Sequence, residues 1–191
     1  MEKMNYVFLA EGFEEIEALT VVDVLVRAQI PVTTVAVGGK LEVAGAHGIV
    51  VKAQALLEDL DFAGAGTLIC PGGLPGASNL AEDDSLTSAL TEHASRGGHI
   101  AAICAAPAVV LAPLGLVTDR RATCYPGFEE ELVGTYYKGA SEAVDARVVV
   151  DGPVITSNGP ASAIEFALAI VEDIKDAATA DTIAAGMLYT R

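Results

Sequence analysis

Short apolar runs alternate with longer amphipathic stretches along this chain, and that alternation admits few architectures. Residues 6–10 read as a buried strand, and residues 14–28 carry Ile16, Leu19, Val22 and Val26 at helical spacing. Residues 32–37 are a β-branched strand opened by Pro31, and the Gly38-Gly39 turn leads into a hairpin of residues 41–43 and 48–52. Residues 67–70 form a strand stopped by Pro71, Gly72 and Gly73. Residues 84–96 are helical, 100–103 form a strand, and a helix is expected over residues 107–114. Further strands fall at 122–124, 147–150 and 154–156, with helices at 161–174 and 179–188. This order predicts a mainly parallel sheet with helices on both faces. No repeat, low-complexity stretch or linker interrupts it, so residues 1–191 are expected to form one α/β domain.

Composition narrows the function classes. The chain is 52% apolar, enough for an aliphatic core without disulfide or metal staples. Its net charge of −15, from 11 basic and 26 acidic residues, repels phosphate backbones and anionic membranes, which argues against nucleic-acid binding. Cys70, Cys104 and Cys124 form no Cys-x-x-Cys pair and no metal-ligand spacing with His47, His93 and His99, a pattern that fits a reducing compartment. Residues 1–5 lack the stages of a signal peptide, and no apolar run reaches the roughly 18 residues of a membrane span. A soluble, cytoplasmic protein without a metal or membrane partner is expected.

In an open parallel sheet, ligands bind beyond the carboxyl ends of the strands, near the point where strand order reverses. That rule gathers Glu14, Glu15, Glu17, Gly72, Gly73, Cys104, Cys124 and Tyr125 at one edge. Cys104 stands out. In Ile100-Ala-Ala-Ile-Cys-Ala-Ala-Pro107 small residues flank it, which permits a tight strand-to-helix elbow, and Pro107 suits a first helical position. A thiol there faces free amides and the positive end of a helix, so its pKa is expected below the ordinary ~8.5. The amides of Gly73 and Ala105 are the expected oxyanion donors. The structural alternative is an inert buried cysteine.

No histidine offers itself conveniently as the proton-transfer partner. His99 lies about 16 Å back along its strand at ~3.3 Å per residue, His93 sits on the preceding helix, and His47 reaches the site only if its loop folds over it. Carboxylates remain: Glu14, Glu15 and Glu17 open the first helix, and a carboxyl held near the sulfur in a partly dry site has a raised pKa and can act as general acid/base. Ile16 and Leu19 are taken as the inward stripe, with Glu17 beside it; the residues alone do not choose among the three acids.

Four segments in order, Ala10-Glu-Gly-Phe-Glu-Glu-Ile-Glu17, Cys70-Pro-Gly-Gly73 with Gly76, Ala101-Ala-Ile-Cys-Ala-Ala-Pro107 and Thr156-Ser-Asn-Gly-Pro160, resemble the ThiJ/PfpI superfamily over residues 5–174. The similarity is greatest to the branch of the Parkinson-disease protein DJ-one and its bacterial relatives. The resemblance implies a flavodoxin-like three-layer α/β/α sandwich (class I glutamine amidotransferase-like) and a homodimer, for which apolar positions of the first helix are candidates. It implies Cys104 as nucleophile paired with Glu17, with backbone donors at Gly73 and Ala105 and with Gly72, Tyr125 and His47 as pocket candidates. The implied activity is that of a glutathione-independent glyoxalase or deglycase on methylglyoxal-like 2-oxoaldehydes or early glycation adducts, with no cofactor. The alternative is an oxidative-stress sensor or chaperone with Cys104 oxidised to sulfinate; a thiamine-precursor role ranks last, because no phosphate-binding loop is present. Three departures matter. Tyr125 stands where some members have histidine, His47 where some have arginine (Arg27 keeps a charge nearby), and Ala105 where peptidase members have histidine, so a peptidase is rejected. Cys124 is a candidate resolving thiol but is expected, like Cys70, to belong to the core.

Overall fold

Strand residues point alternately to the two faces of a sheet, and the apolar runs of this chain use both. The computed structural model describes residues 3–134 and 138–191; Met1 and Glu2, at the head of the amino-terminal stretch read above, lie outside the described residues. The central sheet contains β1 (Asn5–Leu9), β2 (Val32–Ala36), β5 (Ala55–Leu56), β6 (Thr67–Cys70), β7 (His99–Ile103), β10 (Val148–Asp151) and β11 (Val154–Ser157). Their order is β10-β11-β7-β6-β1-β2-β5. Every neighbouring pair is parallel except β10 with β11. The hairpin β3 (Glu42–Ala44) and β4 (Val50–Lys52), and the pair β8 (Arg121–Ala122) and β9 (Glu142–Ala143), stand apart from it.

Val7, Leu9, Ile69, Ala101 and Ile103 bury one face of the sheet against α1 (Glu15–Arg27), α5 (Ala163–Ile174) and α6 (Ala177–Gly186). Phe8, Leu68, Ile100 and Ala102 bury the other against α2 (Gly76–Glu82), α3 (Asp84–Ser95) and α4 (Glu129–Val133). The result is a flavodoxin-like three-layer α/β/α sandwich, with a largely aliphatic core on each side of the sheet that also encloses Phe8 on one side and Phe13 and Phe166 on the other. From β1 the chain moves to β2 on one side and returns to β6 on the other, so strand order reverses between β1 and β6. The loops after those two strands carry Glu14 and Gly72, and β7, which ends before Cys104, is the next strand along.

Local chemistry explains where α1 begins. Glu14 is its cap, accepting the Glu17 amide at 2.7 Å, while Glu15 and Glu17 in the first turn and Arg27 in the last complement the helix dipole. Its phase corrects the expectation from spacing. The buried stripe is Glu17, Ala18, Val21, Val24 and Leu25, whereas Ile16, Leu19 and Val26 are exposed. This helix has apolar residues on both faces, so periodicity finds the helix without finding which face meets the sheet.

Other differences are local. Of the helix expected over residues 107–114, a five-residue wide turn, Pro107–Leu111, is formed, and Ala112 N donates to Pro107 O five residues back. The strand expected at 122–124 is β8, which pairs with β9 instead of joining the central sheet. β5, α2 and α4 were not expected from spacing; they are short, and α2 contains Gly76, Ser78 and Asn79, weak helix formers. No helix among the described residues is long and apolar enough to cross a membrane.

Candidate active site

At the end of β7 the backbone reverses abruptly, and Cys104 absorbs the turn with φ at +65°. A non-glycine residue in the left-handed region costs about 1–3 kcal/mol and persists only when its surroundings hold it there. Two hydrogen bonds do so: Cys104 N donates to Ser157 O at 2.8 Å, and Tyr125 N donates to Cys104 O at 2.8 Å. The Ser157 hydroxyl is itself held by Ser162 Oγ at 2.6 Å and Arg147 O at 2.7 Å. The Ser-Asn-Gly-Pro segment therefore positions the elbow. Sequence reasoning missed Ser157, whose contribution is a carbonyl that no side-chain pattern announces.

Gly72 lets the other half of the site approach. A Cβ there would lie 2.5 Å from Cys104 Cβ, 2.7 Å from Glu17 Oε2 and 3.0 Å from Ile103 O, so the position admits no side chain. Gly72 N donates to Glu17 Oε2 at 2.8 Å, and Gly72 O accepts from Glu14 N at 3.0 Å. Gly73 follows with φ at +87°, packed on Gly12 O and Glu14 N. One glycine pair thus stitches the end of β6 to the start of α1 and seats Glu17 beside Cys104.

Glu17 is 0% exposed, and its Oε1 has no hydrogen-bond partner of ordinary geometry. Burial pushes its carboxyl up to about 7, with the Gly72 amide and the Cys104 thiol acting the other way and the charge of Glu14 adding to the rise. The thiol is close enough for each group to shift the other. Cys104, 8% exposed, departs from the depressed pKa expected from the elbow. The Gly73 and Ala105 amides do favour its thiolate, but burial first, and then the neighbouring Glu17 carboxylate, push it up to about 12. The two groups titrate as a unit. Burial is the larger part of the thiol's rise, and a proton placed on Glu17 removes only the part due to its charge.

The remaining candidates are placed as follows. His47 does fold back toward α1, but onto Glu15: its Nδ1 lies 2.7 Å from Glu15 Oε2 and its N donates to Glu15 Oε1 at 2.8 Å, with the side chain 67% exposed. Tyr125 is 44% exposed, its ring against Gly159, and it serves the elbow through its backbone. Arg27 pairs with Asp23 on the exposed side of α1. His99 pairs with Asp173 at 2.6 Å beside a cavity of about 390 Å³ at the amino-terminal edge of the sheet, and His93 Nε2 meets Gly66 O at 2.8 Å. Cys124 and Cys70 are both buried in the core cluster on the α2, α3 and α4 side of the sheet, as expected, and burial pushes both thiols up to about 12.

Comparison with known proteins settles the lineage. The sequence model described as the DJ-1/PfpI family matches residues 3–173. The chain belongs to the DJ-1/PfpI family. Within that family it is 38% identical over 188 residues to the Parkinson disease protein 7 homolog of Danio rerio, covering 97% of each chain. It is 38% identical over 166 residues to the glutathione-independent glyoxalase DJR-1.2 of Caenorhabditis elegans, covering 86% of this chain and 84% of that one. The solved structure of oxidized Toxoplasma gondii DJ-1 superposes with a TM-score of 0.91 at 36% identity, covering 99% of this chain and 100% of the other. The chain spans 36% and 45% of the lengths of the Arabidopsis thaliana DJ-1 homologs B and A, which are longer DJ-1/PfpI proteins.

Proposed function

We propose that the chain is a cysteine-dependent, glutathione-independent glyoxalase or deglycase-type enzyme acting on methylglyoxal-like 2-oxoaldehydes or their early glycation adducts. Cys104 is its nucleophile and Glu17 its general acid/base. One observation carries this reading: a fully buried carboxyl raised to about 7, with Oε1 unpaired, beside the elbow thiol. A carboxyl with a pKa near the working pH is half charged and can both accept and return a proton. The name of the C. elegans relative supports the reaction class.

In the proposed sequence Cys104 Sγ bonds to the aldehyde carbon while Glu17 takes the thiol proton and delivers it to the former carbonyl oxygen, giving a hemithioacetal. The Gly73 and Ala105 amides are the donors for negative charge, first on sulfur and then on the substrate oxygen. Glu17 next moves the proton from that carbon to the adjacent carbonyl carbon through an enediol, while the hydroxyl proton passes to the neighbouring oxygen, which leaves a 2-hydroxy thioester. Water cleaves the thioester to a 2-hydroxy acid and restores the thiol. A thiol and a carboxyl suffice for these steps.

Purified protein mixed with methylglyoxal is expected to form lactate, and Cys104→Ala to fall to background; equal turnover in the two would remove the assignment. A second reading, oxidation of Cys104 to sulfinate by peroxide (each oxygen delivered as one peroxide leaves as water), is favoured by the oxidised state of the T. gondii relative. Mass spectrometry after peroxide treatment of the same preparation separates it: modification of Cys70 or Cys124 with Cys104 untouched would end that reading.

The exposed face of α1, with Ile16, Leu19 and Val26, lies on the same chain as the exposed Ile49 and Val50 of the hairpin. We read these apolar residues as the surface that packs on a second copy of the chain. Light scattering at the mass of a dimer is expected, and Val26→Glu should shift it to monomer; a wild-type monomer would contradict this.

A further inference from the structure

One cluster is left unused by the proposed chemistry. One ligand atom from each of Glu14, Glu15 and His47 lies within 4.8 Å of the other two, brought together by the return of the hairpin onto the start of α1. Phe13 bridges to Gly45, and Ala46 N donates to Phe13 O at 2.8 Å, so the backbone itself holds the imidazole over the acids. Gly45 is needed for this approach, since a Cβ there would lie 2.3 Å from Glu15 Oε1.

The electrostatics leave the cluster short of positive charge. Burial opposes ionisation of Glu15, but the His47 side chain and the amides of His47 and Ile49 outweigh it and hold its carboxyl below the usual range. Glu14 is different. Its side chain is 9% exposed, Oε2 accepts the Glu17 amide, and Oε1 makes no hydrogen bond among the described residues. Its contact is His47 Nδ1, at 3.9 Å, too far for a hydrogen bond. One imidazole therefore faces two nine-tenths buried carboxylates and is hydrogen-bonded to one of them.

From this geometry we infer that Glu14, Glu15 and His47 form a binding site for a borderline divalent transition-metal cation of the zinc, cobalt or nickel kind. Two carboxylate oxygens and one imidazole nitrogen are a donor set that such ions favour, whereas magnesium and calcium prefer oxygen alone. The cation takes the place of the proton on His47 Nδ1, which leaves to solvent, and it satisfies Glu14 Oε1 in the same step. Exposure of the imidazole leaves the remaining coordination positions to water. Proton and metal compete for Nδ1, so affinity falls as the solution is acidified. The site stands whether or not Cys104 is catalytic.

Cobalt(II) titration of the full chain at about pH 8, followed by visible absorption, tests it. The expected result is one equivalent bound, with weak d–d bands and no sulfur-to-metal charge-transfer band, unchanged in Cys104→Ala. His47→Ala, an exposed position whose loss leaves the core intact, should weaken binding by at least about tenfold, the smaller loss seen even for outer-shell partners of a metal. Equal affinity in His47→Ala, or a charge-transfer band that vanishes in Cys104→Ala, would overturn the inference by putting the metal elsewhere or on the thiol.

Discussion

Glu17→Gln is expected to raise the thermal stability of this protein at pH 8 while leaving it unchanged near pH 4, even as it abolishes the proposed turnover. In the fold the carboxyl is pushed from 4.5 up to about 7, chiefly by burial. Below the unfolded value both states hold the proton, and the folded state carries no charge there. As pH rises through the interval from 4.5 to about 7 the unfolded chain gives up its proton while the folded one retains it, so stability declines. Above about 7 the full penalty applies, and the shift corresponds to about 3 kcal/mol at 1.36 kcal/mol per unit. Glutamine carries no charge at any pH, and its amide oxygen can still accept from Gly72 N. Thermal unfolding across this range checks the expectation: a stability gain that grows between pH 4.5 and 8 supports it, and parallel curves for variant and wild type refute it. A stability gain that accompanies loss of activity marks a group kept for function at the expense of the fold.

Gly72→Ala should be the most damaging single-methyl change in the site. The added Cβ meets Cys104 Cβ at 2.5 Å, Glu17 Oε2 at 2.7 Å and Ile103 O at 3.0 Å, and none of these can retreat easily. Cys104 is fixed through Ser157 O and Tyr125 N, Glu17 is enclosed, and Ile103 belongs to the central strand β7. Overpacking of this kind costs about 1–3 kcal/mol. Separation of thiol and carboxyl by about 1 Å is enough to lower turnover about 10²-fold. Gly64→Ala supplies the control, because a Cβ there meets nothing within 4 Å. Lactate formation from methylglyoxal, with unfolding measured in parallel, distinguishes the two; retained activity in Gly72→Ala would mean that the close approach of Cys104 and Glu17 is not what the chemistry uses.

Much of this site was legible in the chain because its parts are local. The alanines around Cys104, the Pro-Gly-Gly stop after β6 and the acidic opening of α1 each report a backbone requirement, and the rule that ligands sit beyond strand ends brought them to one edge. Three things were not legible. The choice of Glu17 over Glu14 and Glu15 depends on helix phase, and α1 has apolar residues on both faces, so spacing points Ile16 and Leu19 inward when Val21, Val24 and Leu25 are the buried ones. The thiol pKa depends on how deeply the elbow is buried: the amide contributions could be foreseen, and the enclosing Glu17 and its desolvation could not. The Glu14, Glu15 and His47 cluster joins residues 32 apart through a hairpin fold-back, which no ligand spacing along the sequence encodes.

The pH dependence of Cys104 alkylation, in wild type and in Glu17→Gln, tests the central claim most directly. If sulfur and carboxyl share a proton, the wild-type rate climbs through about pH 7, where the pair loses its first proton, and Glu17→Gln lacks that step. Two superimposable profiles with the half-point of free cysteine, near ~8.5, would show that Cys104 and Glu17 are neighbours without chemistry between them.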